Sequence, residues 1–403
     1  MTHRVVAILG TLDTKGVEFA FLKARVEAHG AATLMIDVGP LGPPAFAPDI
    51  TADEVARAAG ADIAALRTRG DRGEAVSTMA KGAAEIVARL YRGGRIDGIV
   101  SMGGGGGTAI ATAAMRALPV GVPKLMVSTL AAGDVRPYVG VSDVTMMPAV
   151  VDVAGINRIS ARIVANAAAA VAGMVQAELP DAKVERPLIA ATMFGVTTPC
   201  VTRARGVLEA AGYEVLVFHA TGTGGQSMEA LIRGGFIAGV LDITTTELAD
   251  ELVGGVLSAG PERLEAAGEA GIPQVVSLGA LDMVNFGPRE TVPARFDDRT
   301  FYIHNPQVTL MRTTPEENAE LGRLMARKLG RARGPTVLMI PERGVSLIDV
   351  EGKPFHDPAA DKALFDALKA NLPRNVGLVE MDTDINDEIF ATRAAELLLA
   401  KLP

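Results

Sequence analysis

DGIVSMGGGGGTAIATAAMRAL, residues 97–118, sets five consecutive glycines between a short apolar run and an alanine-rich run. Glycine loses more conformational freedom on folding than any other residue, so such a block inside a folded chain requires a cause. A buried strand that runs into a glycine turn and then into a helix starting near Thr108 supplies one. The free amides of the turn and the positive end of the helix dipole make a concave nest for an anion. A tight turn with close packing is the plainer reading, but a turn alone rarely needs five glycines, and a phosphate chain fits the nest. Strand, turn and helix in this order are also the unit of a parallel sheet with crossover helices.

The alternation continues on both sides of the block. Short apolar runs alternate with longer stretches of helical period, the pattern of an α/β fold. VVAILG reads as the first strand, residues 17–28 as a helix and AATLMIDVG as the second strand. Helices over 52–59 and 74–91 lead to the strand IDGIVSM, then a helix over 108–117, the strands KLMVSTL and DVTMMPAV, and a long helix over 154–177. That is one doubly wound domain, residues 1–180. ELPDAKVERP, 178–187, is charged and carries two prolines, and reads as a linker.

Beyond the linker the pattern restarts. Residues 6–39 and 189–222 are two strand–helix–strand units of equal length. DGIVSMGGGGGT then corresponds to AGVLDITTTELA, VPKLMVSTLAAGD to IPQVVSLGALDMV, and DVTMM to QVTLM. The second half runs on through TVLMIPERGVSLID, a helix near 361–370, VGLVEMD and a closing helix over 387–401. The expected architecture is two Rossmann-like doubly wound parallel-sheet domains, 1–180 and 187–403, related by a weak internal repeat.

With 403 residues there is chain enough for two cores. The single cysteine, Cys200, excludes an intrachain disulfide framework, and the N-terminus opens into strand-like sequence without a signal pattern, so the expected location is the cytoplasm. Residues 98–115 are uncharged over a length that raises a membrane span, but six of them are glycine and no membrane is expected. A net charge of −8, with no basic cluster interleaved with aromatics, argues against a nucleic-acid partner and for small molecules.

In open parallel sheets, ligands bind beyond the carboxyl ends of the strands. GTLDTKG, 10–16, and AAGD, 131–134, should therefore line the same crevice as the glycine block. Lys15 is placed to neutralise a phosphate, and Asp134 to hold magnesium or a ribose hydroxyl; each also reads as a helix-terminal charge. Thr108 adds a hydroxyl, as a cap or as a phosphate or metal ligand. Asp37 ends the second strand, where a dinucleotide fold places its ribose ligand. GxGxxG after the first strand and GxxxxGK[ST] anywhere are both missing, which disfavours an NAD-dependent dehydrogenase.

The matching loops of the second half carry side chains instead of bare backbone. DITTTEL supplies Asp242, Thr244, Thr245, Thr246 and Glu247. GVTTPC sets Cys200 near a helix N-terminus, where a thiol pKa falls, although buried free cysteines are common. FHATGTGGQSME sets His219 at a strand end before a second glycine loop, as an acid, base or metal ligand or as a structural histidine. GALDMVNFG adds Asp282 and Asn285, FYIHNPQVTLMR adds His304, Asn305 and Arg312, and DTDIND adds Asp382, Asp384 and Asp387, which a surface turn explains almost as well. Cys200 and His219 are expected to face one crevice.

GTLDTKG, GGGGGTAI, MFGVTTPCV, VFHATGTGGQSME, LDITTTELAD, SLGALDMVNFG and FYIHNPQVTLMRTT together resemble the uncharacterised family of Tm-one-like ATP-binding proteins, related to the amino-terminal region of a plant tobamovirus-resistance protein. The resemblance implies two Rossmann-like subdomains, ATP in the first, and a homodimer. It puts ATP contacts on Gly10, Thr11, Leu12, Asp13 and Thr14 and on Gly103, Gly104, Gly105, Gly106, Gly107 and Thr108, with Asp134 as a further candidate. It implies no reaction.

The expectation is an ATP-binding protein, with Mg2+ as a possible companion, that acts as an enzyme on a small polar or carboxylate metabolite at a cleft between the domains. A kinase, a ligase or a hydrolase suits it, with His219, Cys200, Asp242, Glu247, Asp282 and His304 as the catalytic candidates. The rival is a non-catalytic, nucleotide-gated binding protein.

Overall fold

A computed structural model describes residues 4–178 and 186–402. The chain forms two compact units, Met1–Ala182 and Lys183–Pro403. Most of the expected linker, residues 179–185, lies outside the described residues.

In the first unit, five short apolar runs form β1 (Val5–Gly10), β2 (Ala32–Asp37), β3 (Gly98–Gly103), β4 (Lys124–Ser128) and β5 (Thr145–Pro148). They make one parallel sheet in the order β2-β1-β3-β4-β5. Alternate residues of the strands face opposite layers. Ala7, Leu9, Leu34, Ile36 and Ile99 pack against the helices Ala52–Ala58, Arg72–Arg92 and Gly105–Arg116. Val6, Ile8, Met35, Val100 and Val127 pack against Leu12–Ala28 and Arg158–Gln176. Burial on both faces explains why these strands read as unbroken apolar runs. The uncharged stretch over 98–115 is β3 and the helix after it. Arg158–Gln176 is long and apolar enough to cross a membrane, but its Val164, Ala167, Ala168, Val171 and Val175 lie in the core.

Connectivity reverses between β1 and β3, and this switch point opens a crevice outside the carboxyl ends of those two strands. The loops after β1 and after β3 are the two that carry GTLDTKG and the glycines.

The second unit repeats the plan. β6 (Leu188–Met193), β7 (Glu214–His219), β8 (Ile237–Thr244) and β9 (Gln274–Gly279) are followed by β10 (Met283–Phe286), β11 (Phe301–Asn305), β12 (Val308–Arg312), β13 (Thr336–Pro341) and β14 (Val376–Met381). Its parallel sheet has the order β14-β13-β9-β8-β6-β7, so β6 to β9 stand to one another as β1 to β4 do. The last step of the alignment fails. QVTLM is β12, the central strand of an antiparallel sheet β10-β12-β11, and the strand that takes the place of β5 beside β9 is β13. A short apolar run specifies a strand, not its partner.

Candidate functional site

β3 ends at Gly103, and the next helix begins at Gly105, three residues before Thr108, with Gly104 as an N-cap that offers no side-chain hydrogen bond. Gly105, Gly106 and Gly107 are thus the first helical turn, whose amides have no partner within the helix. Two ordinary reasons for glycine do not apply. None of these residues has a positive φ. A Cβ on Gly104, Gly105, Gly106 or Gly107 would meet no atom closer than 3.6 Å. Gly103 is different, since its Cβ would stand 3.3 Å from Gly107 Cα, and it serves the turn itself. Gly104 suits its place as the N-cap, where glycine is favoured, and Gly105, Gly106 and Gly107 leave bare backbone that a group from outside the chain can approach closely.

They border a cavity of about 450 Å3, which is also lined by Thr11, the N-cap of the helix Leu12–Ala28, and by Asp13, Thr14 and Lys15 of its first turn. That is the size of a small-molecule site, typically about 300–1,000 Å3. Leu41, Leu66, Val76 and Ile110 give it an apolar side. Arg72 brings a guanidinium nitrogen 3.9 Å from where a Gly106 Cβ would be. Its neighbour Glu74 pairs with Arg69 instead, at 2.8 Å, leaving Arg72 without a carboxylate among the described residues. Arg67 donates to the carbonyls of Pro40 and Gly42 at 2.7 and 3.0 Å, and Asp13 accepts from the amides of Leu41 and Gly42 at 2.8 and 3.3 Å. Together they hold the wall formed by residues 40–42. Lys15 donates from Nζ to the Val153 carbonyl, and Asp152 also lines the cavity.

Other expected contacts are used by the fold. Gly10 is glycine because the Phe19 ring would lie 2.1 Å from its Cβ. Leu12 is buried in the core, and its amide donates to Asp37 Oδ1 at 3.0 Å. Asp37 also accepts from Gly39, and burial raises its pKa, so it braces the loop after β1 instead of meeting a ribose. Thr108 shares a buried 2.7 Å hydrogen bond with Ser128, which removes it as a phosphate or metal ligand. Asp134 chelates Arg136 at 2.8 and 2.9 Å, which lowers its pKa to about 2, and it does not line the cavity. Arg67, Arg72 and Asp152 are cavity residues that the sequence reading passed over; the charge cluster RTRGDRGE, 67–74, was the available signal for the first two.

At the corresponding switch point of the second unit, between β6 and β8, the chain fills its own crevice. Arg263, 1% exposed, donates to both oxygens of Asp242 at 2.6 and 2.7 Å and to Glu247 at 2.7 Å, with Glu229 3.6 Å away. Asp242 also accepts from Thr192 at 2.6 Å. Glu247 accepts from the amides of Gly222 and Gly225 at 2.7 and 3.0 Å, so the second glycine loop holds a carboxylate of its own chain. Asp242 and Glu247 are therefore structural counter-charges and not free catalytic carboxylates.

The other candidates do not assemble into a site. Cys200 is fully buried among Val201, Ala204, Leu208 and Phe390, and burial, helped by Asp384, pushes its thiol up to about 12; this overturns an activated nucleophile. His219 is exposed, with its ring against Phe194 at 5.4 Å, so the two do not share a crevice. Asp282 is buried, accepts from Ser346 at 2.8 Å, and is raised to about 6 by desolvation against the pull of Arg312. Arg312 in turn binds Asp349 at 3.0 Å and Asp361 at 2.7 Å, and burial, helped by the nearby carboxylates of Asp282 and Asp361, raises Asp349 to about 9 against the pull of Arg312. Asn285 donates to Asp250, and Asp382 pairs with Arg343. His304 sits exposed on β11. Among the described residues no cluster of three or more His, Cys, Asp or Glu is arranged to hold a metal.

Two doubly wound units, with a glycine-floored cavity at the switch point of the first, define the class of protein. The chain belongs to the Uncharacterised protein family UPF0261, whose N-terminal domain matches residues 4–180 and whose C-terminal domain matches residues 186–402. It is 56% identical over 398 residues to a UPF0261 protein of Clostridium tetani, covering 98% of both chains. It is 44% identical over 339 residues to the ToMV resistance protein Tm-1(GCR237) of Solanum lycopersicum, covering 82% of this chain and 45% of that one. The solved structure of a UDP-N-acetylglucosamine 2-epimerase from Rickettsia bellii aligns with a TM-score of 0.24 and 10% identity over 68% of this chain and 79% of that one, too slight a likeness to carry a function.

Proposed function

We propose that the Met1–Ala182 unit binds ATP, with the phosphates on the amides of Gly105, Gly106 and Gly107 and the adenosine against Leu41, Leu66, Val76 and Ile110. The observation that carries this reading is the run of glycines that neither backbone angle nor internal packing requires. Arg72 and Lys15 supply positive charge at the same cavity, and Asp152 is a carboxylate for an accompanying Mg2+. Of the two ways of using the nucleotide, the gated binding protein is favoured over an enzyme, because Arg263 takes up the two carboxylates best placed for chemistry in the second unit. A cytoplasmic homodimer is part of the same proposal.

Gly105→Val puts a branched side chain where the phosphates approach. Calorimetry should show ATP affinity falling at least about tenfold, or roughly 1.4 kcal/mol. A folded variant with unchanged affinity rejects the site.

A further inference from the structure

Residues 149–157, which join β5 to the helix Arg158–Gln176, run past the cavity and carry Asp152 into its lining. Within them Val150 has φ +64° and is 77% exposed. A β-branched residue in the left-handed region is strained, and persists there only when its surroundings impose it. The segment is anchored by buried Ala149 and Val153 and by the Ala149 amide, which donates to the Ser128 carbonyl at 3.0 Å, and two ties join it to the helix Leu12–Ala28. Buried Glu18 accepts from the Gly155 amide at 2.5 Å, and Lys15 Nζ donates to the Val153 carbonyl. Lys15 is also the residue at which that helix loses helical angles, with φ −133° and ψ 30°, and it is among the residues that line the cavity.

One lysine therefore ties down the segment and borders the cavity. A phosphate oxygen is a stronger partner for it than a neutral carbonyl, because both partners are then charged. A ligand shifts an equilibrium only through contacts that differ between the two states, and this exchange of partners is such a contact. We infer that Lys15 is a latch: bonded to the Val153 carbonyl it pins residues 149–157, and an anionic ligand in the cavity draws it away and releases them. The inference rests on the nucleotide site proposed above and gives the gated reading its moving part.

The test is hydrogen exchange of the full-length chain, alone, with saturating ATP, and with pyrophosphate as an anion lacking the nucleoside. ATP and pyrophosphate should each speed exchange across 149–157 by at least about fivefold. Lys15→Met, checked for native secondary structure by circular dichroism, should exchange fast there without ligand and respond little to either. If calorimetry shows ATP bound while the segment is unchanged or slowed, the latch is wrong and the nucleotide site stands. Should Lys15→Met protect the segment as well as the wild type does, the latch is also wrong. Absence of binding by both ATP and pyrophosphate overturns the site and the latch together; release by pyrophosphate without any ATP binding keeps the latch and rejects the nucleotide.

Discussion

Arg263 shows how a residue that looks catalytic in sequence becomes structural in the fold. DITTTEL was read for its carboxylates, and nothing adjacent in sequence announced that a guanidinium 16 and 21 residues away would neutralise both. Side-chain direction and long-range pairing are set by tertiary packing, so Leu12 and Thr108 turn into the fold although their neighbours border the cavity, while Asp134 pairs with Arg136 and the AAGD loop does not line the cavity at all. The energetic consequence is large. Removing one partner of a buried charge network leaves the others desolvated, which costs about 3–5 kcal/mol. Arg263→Leu should destabilise the second unit by that amount in urea unfolding. A loss below about 1 kcal/mol would mean that Asp242 and Glu247 are not buried charges needing compensation.

At the scale of elements, the step from β3 through Gly104 into the helix Gly105–Arg116 was legible because hydrophobic period changes there from a buried strand to a helix. The start of the helix was not, since glycine is a poor helix former and the reading therefore ended the turn at Thr108. The same property gives a test that separates ligand binding from folding. With negative φ and an open Cβ position, Gly107→Ala should stabilise the protein by about 0.5–1 kcal/mol through higher helix propensity and a less flexible unfolded chain. The same methyl group should weaken ATP binding. Thermal unfolding and calorimetry on one variant measure both, and a destabilised variant would show that Gly107 is needed by the fold. Residues 149–157 are a second element the sequence does not separate: the expected strand DVTMMPAV takes in 149 and 150 and the expected helix takes in 154–157, whereas the strand ends at Pro148 and the helix starts at Arg158.

Over the whole molecule, the repeat was visible as order and spacing, and the two sheets share a strand order from β1 to β4 and from β6 to β9. The insertion of β10, β11 and β12 was hidden, because QVTLM resembles DVTMM closely enough to be paired with it. The two units have used one plan differently. At the switch point of the first, bare backbone faces a cavity; at that of the second, the glycine loop is occupied by Glu247, which Arg263 neutralises. On the function proposed above, this division leaves nucleotide binding to the first unit alone. A crystal structure of the protein soaked with ATP and magnesium tests it most directly. The expected result is one nucleotide, its phosphates on the amides of Gly105 to Gly107 within reach of Arg72 and Lys15. Phosphates bound at Gly222 to Gly225 in place of the Glu247 carboxylate, or anywhere away from the first unit's glycine turn, would contradict it.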